Sequence, residues 1–306
     1  VCVDFREALT MVENNVPIGN VGHLVQIPRA ALKKILSAKP KIVTVYSLEK
    51  AQEISRVCTE LGLHQKLMLR VLGENDMLYS GQYGGFTLAE LEQTVHAIEN
   101  MPGVEVGGVC SFPCFLYDEA AGDILPTPNL STVQTAARML TAWGYKDLMR
   151  NTPSATCVHS IPKIAAAGGT HGEPGHGLTG TTPYHAAHPD AEERPGYLYV
   201  SEVSHDLGTK SYCYGGGHYR RGHMKNALVG TTLEDAKIVP VLPPDDSSID
   251  YHFELQQNCP VSAAAVMAFR TQFFVTRSRV AVVKGLSEGK PELAGLYSAL
   301  GDPARE

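Results

Sequence analysis

Over residues 1–180, short apolar runs of β type alternate with amphipathic helical segments, the pattern of a parallel sheet with crossover helices. The predicted strands are residues 1–5, 21–26, 41–46, 66–72, 104–110, 147–151 and 169–173. Between them the spacing predicts helices over 7–14 and 28–37, a third from an N-cap at Ser47 to a stop at Gly62, and a fourth behind a Thr87/Glu90 capping box. Ser131 is the expected cap of a helix ending near Gly144, and a short helix is expected over 161–167. The loop over 111–130 is too elaborate for a plain connection.

Seven strand–helix units with long polar loops after the strands predict a TIM-like α/β barrel of the (β/α)8 type, short of one unit. Val1 is not a methionine, and V-C-V-D-F reads as a strand without a leader, so the missing N-terminal unit is expected upstream. The main competitor is an open doubly wound sheet, because Gly175, Gly177 and Gly180 match G-x-G-x-x-G. The T-T-P-Y-H that follows cannot open the helix a dinucleotide site needs.

After a polar, proline-containing linker over 186–195 the pattern changes. Runs over 197–203, 210–214, 236–242, 248–254, 264–275 and 279–283 are β-branched and aromatic, broken by turn residues. The predicted organisation is a barrel domain over 1–188 and an all-β domain over 189–306.

Composition narrows the function classes. With 306 residues, a net charge of -6 and both signs interspersed, the chain offers no nucleic-acid-binding face and no polybasic membrane patch. No apolar run reaches the length of a membrane span. Seven scattered cysteines, mostly in apolar segments, read as buried thiols of a cytoplasmic protein, and Cys110 and Cys114 lack the second pair of a zinc site.

The richest chemistry lies over 150–180. Thr152 and Ser154 close a predicted strand, and glycines at 172, 175, 177 and 180 let backbone N–H groups approach an anion such as phosphate. The segment Glu173-Pro174-Gly175-His176-Gly177-Leu178-Thr179-Gly180 resembles the phosphate segment of the fold-type III pyridoxal phosphate (PLP) enzymes, the alanine racemase-like family. Tyr214-Gly215-Gly216-Gly217-His218-Tyr219-Arg220-Arg221 is similar to the segment that carries that family's catalytic tyrosine. Within the family the chain looks most like the YhfX-type branch, a group classed as amino-acid racemases.

The resemblance implies an amino-acid racemase or epimerase that works as a homodimer. It implies Thr152, Ser154, Gly175 and His176 around the PLP phosphate and Tyr214 as catalytic acid–base, its anion stabilised by His218 or Arg220. His218 and Arg270 are the candidates for substrate contact, Arg270 by a bidentate grip on a carboxylate. The family's Schiff-base lysine belongs to the strand expected upstream of Val1, and Lys163 and Lys210 read as surface residues.

Two departures matter. Glu173 stands where the racemases place an arginine against the pyridine nitrogen, and Ser111-Phe112-Pro113 stands where they place a histidine. A carboxylate keeps that nitrogen protonated and supports elimination or aldol cleavage as well as proton exchange. The alternative readings are therefore a lyase similar to D-threonine aldolase or D-serine dehydratase, and a PLP-binding protein without turnover. His218, His223 and Cys259 have weak metal-ligand spacing, and no metal site is assigned.

Overall fold

Asp4 decides how the chain enters its first element. In the computed structural model, which describes residues 1–217, 219, 222, 224–245 and 247–304, its carboxylate accepts from the N–H groups of Arg6 and Glu7. That cap opens helix α1 (Phe5–Glu13), so the strand expected over 1–5 does not form. The strand expected over 21–26 is likewise reduced to β1 (Asn20–Val21). Gly22 turns the chain there at φ +92°, where a Cβ would meet the Thr44 carbonyl oxygen at 2.6 Å, and the Gln26 amide clips the turn to Gly22 and Thr44.

The following units alternate as expected: α2 (Arg29–Ser37), β2 (Ile42–Val45), α3 (Leu48–Leu61), β3 (Gln65–Leu72), β4 (Phe86–Thr87), α4 (Leu91–Glu99) and β5 (Val104–Cys110). Ser47 caps α3 through the Lys50 N–H, and Gly62 ends it in the left-handed region at φ +63°. Thr87 and Glu90 bond reciprocally, but the box sits one turn ahead of α4 because Thr87 still belongs to β4.

The long loop after β5 folds into a hairpin of β6 (Phe115–Asp118) and β7 (Asp123–Pro126). Helix α5 (Pro128–Ala142) starts earlier than the Ser131 cap implied, because Pro128 suits its first turn and Thr127 takes the extended cap position. Then come β8 (Met149–Asn151) and α6 (Ile161–Ala166). The seventh expected strand contracts to a single parallel bridge between Asn151 and His171.

The parallel sheet runs β1-β2-β3-β5-β8, with β4 on β3. It is a half-barrel, open among the described residues, in place of the near-complete barrel expected. Its central strands β2, β3 and β5 are almost wholly buried, as helix-covered parallel strands must be.

By contact, Val1–Leu178 with Ala186–Glu192 form one compact unit, and Thr179–His185 with Glu193–Glu306 form another. The second holds a closed antiparallel barrel of β9 (Tyr199–Asp206), β10 (Ser211–Tyr214), β11 (Asn226–Gly230), β12 (Lys237–Leu242), β13 (His252–Leu255) and β14 (Ala264–Met267), in the order β10-β13-β12-β11-β14-β9. Beside it lies a separate hairpin of β15 (Val280–Lys284) and β16 (Glu292–Tyr297). The run over 264–275 is a strand only as far as Met267, and a 3-10 turn takes Phe273–Val275. The barrel interior is apolar, packed by Val203, Val229, Val241, Phe253, Leu255 and Phe269 among others.

Candidate active site

Polar residues converge where the parallel strands end. His23 follows β1, Tyr46 follows β2, Arg70 lies near the end of β3, Ser111 and Phe112 follow β5, Asn151 and Thr152 end β8, and Glu173 follows the His171 bridge. Function concentrates at this end of parallel strands because the loops there are free to vary while the strands fix the side chains.

Glu173 is the hub. Its Oε1 accepts from Asn151 Nδ2 at 2.6 Å, its N–H donates to Thr156 Oγ1 at 3.0 Å, and its Oε2 lies 3.5 Å from His23 Nε2. His23 is 1% exposed, and neither ring nitrogen has an aligned hydrogen bond. Phe112 meets the imidazole edge-on with ring centroids 5.6 Å apart. Burial pushes the His23 imidazole below its usual range; Glu173 opposes that shift and the Arg70 guanidinium adds to it.

Arg70 is fully buried and donates to the Tyr46 hydroxyl and to the Gln82 carbonyl, each at 2.8 Å. Tyr46 in turn donates to the His23 carbonyl. Burial raises the Tyr46 phenol above its usual range, with Arg70 pulling it back. One hydrogen-bonded path thus joins the ends of three neighbouring strands. Ser111 is buried as well, receiving Asn129 Nδ2 at 3.0 Å and standing 3.5 Å from Asp76, whose carboxylate also takes Thr132 and the Gly73 N–H.

Of the residues predicted from sequence, Thr152, Ser154 and Glu173 gather at the end of β8. Thr152 donates its N–H to His171, and its hydroxyl is buried without a partner. Ser154 gives its hydroxyl proton to the Phe115 carbonyl at 3.1 Å. Gly175 has open space where a Cβ would stand, and His176 beside it is half-buried. Lys163 is ion-paired with Asp123 and Lys210 with Glu254.

Tyr214 and Arg270 belong to the second unit. Tyr214 ends β10 with 51% exposure, in a surface group where it tilts against His252, and where His205 stacks on Tyr212. Arg270 holds its guanidinium 5.7 Å from the Tyr219 ring. His218, Arg220, Arg221 and His223 lie outside the described residues. Among those described, no three His, Cys, Asp or Glu side chains are grouped to hold a metal, and no helix is long and apolar enough to cross a membrane. All seven thiols are free and buried.

Sequence reasoning did not single out His23, Tyr46, Arg70 or Asn151. The available signal was Arg70 itself, a charge inside the apolar run L-M-L-R-V-L, which only a buried polar site accommodates.

Residues 1–183 match the alanine racemase N-terminal domain, and residues 198–293 match the YhfX-like C-terminal domain. The chain is 45% identical over 304 residues to "Uncharacterized protein YhfX" of Escherichia coli (strain K12), covering 99% of this chain and 78% of that one. Among solved structures it resembles alanine racemase of Clostridium difficile 630 in complex with cycloserine, with TM-score 0.64 and 14% identity over 97% of this chain and 83% of that one. It also resembles D-threonine aldolase from Filomicrobium marinum, with TM-score 0.67 and 12% identity over 98% and 80%. A third likeness is to the arginine decarboxylase of Paramecium bursaria Chlorella virus, with TM-score 0.59 and 12% identity over 87% and 75%. At such identities the three structures share a fold with this chain, while the matched domains and the YhfX identity go further: the chain belongs to the alanine racemase-like, fold-type III family, whose members bind pyridoxal phosphate.

Proposed function

We propose that the protein is a PLP-dependent amino-acid racemase or epimerase, acting as a homodimer in the cytoplasm. The observation that carries this reading is the carboxylate of Glu173, held by Asn151 at the strand ends among buried polar groups that lack partners.

PLP fits the residues present. Buried polar atoms without partners are costly, and a bound ligand is one way to complete them; at the strand ends the Thr152 hydroxyl and Asn151 Oδ1 are such atoms. Thr152, Ser154 and the N–H groups around Gly175 and His176 would hold the phosphate, and Glu173 would face the ring nitrogen. When bound, PLP withdraws electrons from the Cα of an amino acid.

The chain's own residues supply the rest. Glu173 holds a proton at the ring nitrogen, Phe112 and the buried walls exclude water, and Arg70 fixes Tyr46. Tyr214, exposed at the end of its strand, exchanges the Cα proton on one face of the substrate, supplied by the second copy of the homodimer. Arg270 and His218 are the proposed substrate contacts.

A lyase is the second reading, favoured by a specific observation: an acidic residue, not an arginine, occupies the Glu173 position, and the fold also matches D-threonine aldolase. The deciding experiment incubates full-length protein and PLP with D- and L-amino acids in deuterated buffer. Racemisation gives deuterium at Cα with interconversion of a D/L pair. Release of an aldehyde or ammonia without interconversion assigns the lyase, and no exchange or release with any amino acid contradicts both readings.

A further inference from the structure

His23 is the buried titratable group to which the proposed chemistry gives no task. Its Nε2 is 3.5 Å from Glu173 Oε2, within ion-pair reach but not aligned as a hydrogen bond. The other oxygen of that carboxylate is already held by Asn151. The charged groups that act on the imidazole are Glu173 beyond the last strand and Arg70 on β3, and the titratable Tyr46 phenol stands against its backbone carbonyl. Arg70 and burial both disfavour an imidazolium, so the ring stands neutral.

A neutral imidazole presents one N–H and one lone pair. A lone pair facing a carboxylate oxygen is repulsive, so the proton belongs on Nε2, toward Glu173. The ring is restrained from several sides: Phe112 packs on its edge, and the His23 backbone carbonyl is tied to Tyr46, which Arg70 holds. Hydrogen bonds of this kind are often long before a ligand closes a site.

We propose that His23 is a positioning residue: as a neutral Nε2–H donor it grips Glu173 Oε2 while Asn151 grips Oε1, fixing the plane of the carboxylate offered to a bound heteroaromatic nitrogen. The inference rests on the reading of Glu173 given above, and it makes His23 the reason a carboxylate in this pocket keeps one orientation.

The test has two parts. Nitrogen-15 NMR of side-chain imidazoles in the full-length protein, assigned with His23→Gln, reads the tautomer of His23 without any cofactor. The expected result is a neutral ring protonated on Nε2 at pH 7, with signals that move in Glu173→Gln. A ring protonated on Nδ1 alone, or one indifferent to Glu173→Gln, overturns the proposal even if PLP binds.

The second part titrates PLP into wild-type, His23→Gln and His23→Leu proteins, following its visible absorbance against pH. His23→Leu should bind about tenfold more weakly, the loss of one hydrogen bond to a charged group, and the pH profile of its band should shift. His23→Gln, which keeps a side-chain N–H donor, should recover most of the affinity. Equal profiles for all three proteins count against His23. Absence of binding by the wild type contradicts instead the PLP reading of the site, while the NMR result still decides whether His23 holds Glu173.

Discussion

The two units bury different kinds of residue. The barrel of the second unit is filled mainly by apolar side chains, and its buried polar side chain Ser211 is hydrogen-bonded to Asp206 and Cys259. The parallel sheet of the first unit instead buries Arg70, His23, Asn151 and Thr152 at its strand ends, several with atoms that lack partners. A packed apolar interior stabilises a scaffold, whereas an incompletely satisfied polar interior is retained for a ligand. On the proposed reading, the contrast puts the chemistry in the first unit and leaves the second to contribute through its surface, where Tyr214 stands.

The largest expected effect sharpens the scaffold half of that contrast. Phe253→Ala, at a fully buried position of the barrel core, should cost roughly 3–5 kcal/mol of unfolding free energy. Denaturant melts would show the loss, and PLP affinity of the folded fraction should not change. On the other side, Glu173→Ala should lower turnover on the order of 100-fold or more by removing a part-buried charge partner of the reacting group, with far-UV circular dichroism unaltered. A large stability loss with intact turnover would reverse the assignment of the two units.

Tyr214→Phe tests the surface contribution. An exposed tyrosine that only decorates a strand should alter stability by no more than about 0.5 kcal/mol, and this change should nonetheless reduce Cα-hydrogen exchange roughly 100-fold or more if the phenol moves a proton. Unchanged exchange removes Tyr214 from the chemistry.

The smallest effects concern pH. The folded-state pKa of His23 is lowered by burial, so the unfolded chain binds a proton first and stability should fall as pH drops below about 6.5. Asp123 is held well below the usual carboxylate range, first by Lys163 and then by His159. Its contribution is present above about pH 4 and is lost as pH falls further. Thermal melts across pH should therefore show two declines, the lower one reduced in Lys163→Ala, where His159 still holds Asp123, and the upper one reduced in His23→Leu, where His171, also lowered first by burial, keeps part of it.

How much was legible in the sequence follows from the range of the interactions. Ser47, Gly62 and the Thr87/Glu90 box act within one turn of chain, and their letters sufficed. The strand expected over 1–5 gives way to a similarly local signal, the Asp4 cap. Strands β11 and β16 escaped because N-A-L-V-G and E-L-A-G-L-Y are short and glycine-bearing, and pairing with β12, β14 and β15 makes them strands.

The site divides in the same way. Glu173 could be read from its motif with glycine and proline neighbours. His23, Tyr46 and Arg70 could not, because each gains meaning only when β1, β2 and β3 lie side by side and bring residues separated by more than twenty positions into one path.

The central claim is that the strand-end cluster of the first unit holds PLP through Glu173. Its most direct test is a PLP titration of full-length wild-type protein and Glu173→Ala, followed by borohydride treatment. The account predicts a visible band in the wild type that borohydride abolishes, and binding weakened at least about tenfold in the variant. Equal binding by the two proteins, or no band in the wild type, would contradict it.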